Sequence, residues 1–132
     1  MIGESALKPL RHARRWLMLW WMAVAVVVVV ELVPAMLLPM VPAGGDKAEH
    51  LLGYGLLAFA AVQVFERRAL WRVALGLAAL GMGLEIAQGT LTATRSFDLA
   101  DELANTAGVL LGLGTAFTPL RDVLARIGGR AR

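Results

Sequence analysis

The sequence predicts an all-α integral membrane bundle of four transmembrane helices, with N- and C-termini cytoplasmic. Three observations predict it. Hydrophobic residues make up 58% of the 132 positions and the mean hydropathy is +0.67, more apolar surface than a soluble domain of this length can bury. The apolar residues gather in four runs, separated by Pro, Gly or charged residues. Eleven of the 13 Lys and Arg fall on one side of those runs: Lys8, Arg11, Arg14, Arg15, Arg67, Arg68, Arg72, Arg121, Arg126, Arg130 and Arg132. Only Lys47 and Arg95 lie on the other. By the positive-inside rule the basic side is cytoplasmic.

In order, residues 1–15 form a basic cytoplasmic lead, 16–118 the four-helix membrane domain and 119–132 a basic cytoplasmic tail. Trp16 to Val33 is an almost unbroken apolar run, long enough to cross ~30 Å of hydrocarbon at about 1.5 Å per residue. A cleaved signal peptide, processed after Val33-Pro34-Ala35 or Val41-Pro42-Ala43, is the rival reading. The run exceeds the usual apolar core of about 7–15 residues, which favours an uncleaved anchor. Pro34, Pro39, Pro42, Gly44 and Gly45 break helical geometry and make an outward loop. A second span runs from about Ala48 to Phe65, and Glu66-Arg67-Arg68 is a short inner turn. Val73 to Gln88 is the third span, Gly89 to Phe97 the second outward loop, and Leu99 to Phe117 the fourth span, stopped by Pro119.

The composition also excludes functions. The chain has no Cys, which removes disulfides, thiolate metal sites and thiol catalysis. A pI near 10.2 suggests nucleic acid at first sight. The basic residues sit at helix ends and in tails, where topology and contact with anionic lipids account for them. Trp16, Trp20, Trp21 and Trp71 lie toward the inner ends of their spans, where headgroup anchoring is expected. The 14 Gly and many Ala suit close helix packing in lipid, and Gly108 and Gly112 form a small-xxx-small pair.

Candidate functional residues collect on the outward side. Asp46 with Glu49, and Asp98 with Asp101 and Glu102, open the second and fourth spans. Each group reads either as a helix-capping acid pair or as part of a site. His50 lies four residues after Asp46 and four before Tyr54, so the three share one helix face. Its imidazole is a packing residue, a proton carrier or a metal ligand. Glu85 lies about a turn below the outer end of the third span with Gln88 at i+3. An ionisable group at that depth is costly unless it faces protein or water, so function is the default reading. Asn105 lies one turn below Asp101 and either joins two helices or floors an outward pocket. Arg95 pairs with Glu85 or Asp98, or receives an anionic headgroup, while Glu31 reaches the outer interface. With seven acids against two cations, the outward side favours cationic ligands and disfavours bare phosphates unless a metal or Arg95 intervenes.

At these residues the chain resembles the VanZ-like membrane family. The resemblance rests on Asp46-Lys47-x-x-His50-x-x-x-Tyr54, then Glu85-x-x-Gln88, then Arg95-Ser96-Phe97-Asp98-x-x-Asp101-x-x-x-Asn105-x-x-Gly108, in that order, and covers about half the chain. It implies a small multi-helix protein of the bacterial cytoplasmic membrane with an envelope role. The family's namesake is associated with reduced susceptibility to the glycopeptide antibiotic teicoplanin. The resemblance carries over no agreed catalytic assignment, so the matching positions enter as candidates for a site.

Three functions compete. The first is an envelope protein whose outward pocket binds or modifies a lipid or lipid-linked glycan. There His50 and Glu85 are acid/base candidates, Asp98 and Asp101 cation ligands, and Arg95 and Asn105 orienting groups, with Asp46, Tyr54 and Gln88 lining the pocket. The second is a small proton-coupled transporter. No acid lies mid-membrane, and the charge bias argues against dual topology. The third is a non-catalytic partner subunit, packing through its Gly and Ala faces, which also make a homodimer plausible.

Overall fold

A computed structural model describes residues 6–93 and 95–131. Glu4 and Arg132, counted among the inward charges, lie outside the described residues, as does most of the expected 1–15 lead before Ala6. The four predicted runs are all helical: α1 Ala13–Leu32, α2 Gly45–Val64, α3 Leu70–Leu91 and α4 Leu99–Gly114. A short fifth helix, α5 Val123–Gly128, lies in the tail that sequence patterning left unstructured.

Proline sets two boundaries. Val33 precedes Pro34 and is extended, ending α1, because the proline ring disfavours helical backbone in the residue before it. Thr118 precedes Pro119 and is extended in the same way. There the chain bends by 81° between Leu99–Phe117 and Pro119–Gly128. α1 and the Arg67–Leu91 unit are long and apolar enough to cross a membrane, and the bent pair makes a third if counted as one span.

α2 and α4 make the most extensive helix contact, although α3 lies between them in sequence. Their contacts advance together: Lys47 meets Asp101, His50 meets Asn105, Gly55 meets Gly108 and Ala58 meets Gly112. The two helices therefore run parallel. A Cβ on Gly108 would collide with the Leu51 carbonyl oxygen and lie 2.9 Å from the Gly55 nitrogen. One on Gly112 would strike the Gly55 carbonyl oxygen and lie 2.7 Å from the Ala58 Cβ. The small-xxx-small pair is thus a packing seam in which backbone meets backbone.

α3 packs on α4, and α1 lies against α2 and α3. α1 touches the bundle through one stripe, Trp20, Val24 and Glu31. Trp20 was expected as an interfacial anchor, but it is buried. Its indole N–H donates to the Leu57 carbonyl at 2.9 Å, and its ring packs edge-on against Phe65 with centroids 5.1 Å apart. Burial satisfied by a partner suits an amphipathic ring as well as a headgroup does. Trp21 and Trp71 remain exposed. Below the site, Leu57, Ala58, Ala61, Val62, Val73, Leu77 and Val109 form an apolar core.

The basic ends are tied together. The Lys8 amide donates to the Val64 carbonyl and the Glu66 amide to the Ala6 carbonyl, while the Arg11 and Ala131 amides bond Gly129 and Pro9. Gln63 clamps the tail, donating to the Leu120 carbonyl at 2.9 Å and accepting from the Leu124 amide at 3.2 Å. Lys8 pairs with Asp122 at 3.1 Å, which holds that carboxyl below its ordinary range.

The seam makes a direct prediction. Gly108→Ala should destabilise the folded chain by about 1–3 kcal/mol, since backbone atoms cannot yield to the added methyl as a side chain does. Gly76→Ala, which meets nothing within 4 Å, should be neutral or slightly stabilising. Unfolding in mixed micelles reads both.

Candidate functional site

The polar side chains converge because parallel α2 and α4 present their N-terminal turns at the same end as the C-terminal turns of α1 and α3. Glu31, His50, Tyr54, Glu85, Gln88, Glu102 and Asn105 are all buried there. Sequence reasoning placed Glu31 at the interface and left Glu102 as a capping acid. Both instead face inward. The missed signal was helical phase, since Glu31 shares a stripe with Trp20 and Val24.

The outer layer is organised by Lys47, which the sequence reading did not place among the site residues. Its ammonium bonds Asp101 at 3.0 Å, Asp98 at 3.0 Å and Asp46 at 3.2 Å. These carboxylates raise the Lys47 pKa above its ordinary range, Asp101 contributing most, and Lys47 in turn lowers those of Asp46 and Asp98. Asp98 also caps α4, accepting from the Ala100 amide at 2.8 Å, as the capping reading expects. Asp46 does not cap α2. Gly44 occupies that position with φ 81° and no side-chain cap.

In the inner layer, the Asn105 amide nitrogen faces the Glu102 carboxylate at 3.4 Å. A carboxylate only accepts, so the Asn105 carbonyl oxygen is the atom 2.9 Å from His50 Nδ1 and accepts the Nδ1–H hydrogen bond. Nε2 then points at Asp101 Oδ2, 3.6 Å away, and Glu31 Oε1 stands 3.7 Å from Nδ1. Glu85 Oε2 accepts the Asp98 amide at 3.1 Å. Among the described residues, Glu85 Oε1 is buried without a hydrogen-bond partner, while the Tyr54 hydroxyl and the Glu31 carboxyl are buried beside each other. His50, Glu85 and Asp101 each present one ligand atom, all within 4.8 Å of one another. Asp98, expected as a cation ligand beside Asp101, is not in this trio.

Gln88 and Arg95 converge elsewhere. Gln88 donates to the Glu31 backbone carbonyl at 2.7 Å and Arg95 to the same oxygen at 2.6 Å. They satisfy a terminal carbonyl that α1 cannot bond internally and draw that helix end over the site. Arg95 thus takes a backbone oxygen where pairing with Glu85 or Asp98 was expected. A cleft of about 160 Å³ remains between α1 and α2. One wall is Val26, Val27, Val30 and Leu38; Glu31, His50, Tyr54 and Arg95 line the polar part.

No family model, curated protein or solved structure matches this chain. Its chemistry is therefore read from the arrangement: a tautomer-fixed imidazole, a fully buried carboxylate with one free oxygen, and an amphipathic cleft beside them.

The Lys47 clasp has a defined pH dependence. Because Asp46 and Asp98 titrate below their usual 3.8 when folded, their stabilising contribution is complete well above that pH. It is lost as the pH falls through the lowered values. Lys47→Met should lower the thermal midpoint at neutral pH, and the gap from the parent should narrow as the pH falls below 3.8. A gap unchanged across that range would refute the clasp.

Proposed function

We propose that this is a VanZ-like integral membrane protein of the bacterial cytoplasmic membrane. It crosses four times with both termini cytoplasmic, and its outward cleft binds a lipid or lipid-linked envelope component. Exposed apolar side chains on every long helix support the count: Met22 and Val29 on α1, Leu52 and Leu56 on α2, Leu75 and Ile86 on α3, Leu103 and Leu110 on α4. Together with buried Glu31, His50, Glu85 and Asn105, they make a molecule apolar outside and polar within at one end, as suits lipid on all sides. The distribution of Lys and Arg supports the orientation.

The observation that carries the binding reading is the cleft itself. Its valine wall suits an acyl or prenyl chain, while Arg95 and His50 stand at the polar part where a headgroup would sit. The motif resemblance favours an envelope component as the source of that amphiphile and brings with it a bearing on teicoplanin susceptibility. His50 and Glu85 remain the acid/base candidates should the ligand be modified. A proton-coupled transporter fits less well. Beneath Asn105 the core is apolar until Gln63 at the far end, so no polar path leads across among the described residues.

Two measurements test this reading. The chain has no Cys, so a single introduced thiol reports sidedness. Met40→Cys should react with a membrane-impermeant maleimide on intact cells, and Arg68→Cys only after permeabilisation; the reverse pattern would defeat the orientation. Gly53 lines the cleft with open space around its Cβ position. Gly53→Phe should therefore fill the cleft and cut crosslinking to a photoactivatable prenyl-phosphate lipid about tenfold or more, a loss of ~1.4 kcal/mol. Undiminished capture would remove the cleft as the binding place.

A further inference from the structure

We propose that His50, Glu85 and Asp101 bind one divalent transition-metal cation, with Zn²⁺ the best fit. The site adjoins the lipid cleft through His50, which lines both, and does not depend on the lipid reading. Each of the three residues has one polar atom held by protein and another that no protein donor holds. His50 Nδ1–H donates to the Asn105 carbonyl oxygen, leaving the Nε2 lone pair. The Asp98 amide holds Glu85 Oε2, leaving Oε1 without a partner although Glu85 is fully buried. Lys47 holds Asp101 Oδ1, leaving Oδ2 facing Nε2. This is the outer-shell bonding that orients metal ligands, with the imidazole tautomer fixed through its second nitrogen.

The His50–Asp101 distance and the local charge agree with it. Two ligand atoms each about 2.0–2.1 Å from zinc at the tetrahedral angle stand about 3.4 Å apart. His50 Nε2 and Asp101 Oδ2 are 3.6 Å apart, and the three ligand atoms lie within 4.8 Å. A lone pair aimed at a carboxylate oxygen across that gap is repulsive unless a cation or proton lies between. The surroundings hold Glu31, Glu85, Asp101 and Glu102 largely buried, against Lys47 and Arg95, so a dication also offsets an excess of negative charge. One imidazole with two carboxylates suits Zn²⁺ or Mn²⁺ better than Ca²⁺ or Mg²⁺. Three protein ligands leave a further position open, the pattern of zinc sites that take water or a substrate oxygen.

The test uses the full chain in detergent, stripped with chelator and equilibrated with micromolar Zn²⁺ alone. About one retained ion per chain is expected, with X-ray absorption showing one imidazole and oxygen donors. His50→Gln and Glu85→Gln should each weaken affinity about 100-fold and Asn105→Ala about 10-fold, while Glu66→Gln at the opposite end leaves it unchanged. Gly53→Phe should keep the metal even where lipid capture is lost, which separates the two proposals. A parent chain that retains no zinc, or an all-oxygen coordination sphere, would overturn the site. So would full affinity in both His50→Gln and Glu85→Gln. Because the parent stoichiometry and spectrum decide alone, a variant that fails to fold leaves the test intact.

Discussion

The close approach of α2 and α4 is the constraint on which the other features depend. At Gly55, Gly108 and Gly112 the two backbones touch without intervening side chains. That contact sets both separation and register. Asn105 and Asp101 lie one and two turns from Gly108 along α4, and His50 and Lys47 hold matching places on α2. With the seam closed, Asn105 reaches His50 and Asp101 reaches Lys47. A wider seam would leave those groups beyond hydrogen-bond distance, and their burial would then be unfavourable.

The seam stabilises the bundle by packing, and the polar end works against it. Carboxylates held away from water cost free energy unless cations or donors offset them. The structure meets part of that cost with Lys47, with the Asp98 amide and with the Asn105–Glu102 and Thr106–Glu102 contacts. Among the described residues it leaves Glu85 Oε1 unmet. A buried polar group left unmet at one end, in a molecule whose other end is well bonded, is the kind of local violation that draws a functional reading to that end.

That other end shows the contrast. Around Gln63, Lys8 and the returning tail, donors find acceptors: a backbone pairing of the lead with the α2–α3 turn, and side chains that close the bend at Pro119. Arg67 lies over the Phe117 ring at 4.2 Å, adding an attraction between the turn and the end of α4. Between the two ends the interior is almost wholly apolar. The Trp20–Leu57 bond is a polar tie there, joining α1 to α2.

Much of this was legible in the chain. Apolar runs and proline breaks located α1 to α4, because helix length and the backbone restriction before proline act locally. The motifs around His50, Glu85 and Asn105 located one polar end, because charge in an apolar run is costly wherever it falls. What the sequence left open was pairing. Glu31 read as an interfacial acid, Lys47 as a flanking cation and Gln88 as a partner of Glu85. Only tertiary packing brought Glu31 beside His50, placed Lys47 among three aspartates and turned Gln88 to the α1 carbonyl. The helices were determined by interactions a few residues apart. The site was decided by the parallel contact of α2 with α4, whose partners lie more than fifty residues apart, a separation over which no local pattern specifies which side chains meet.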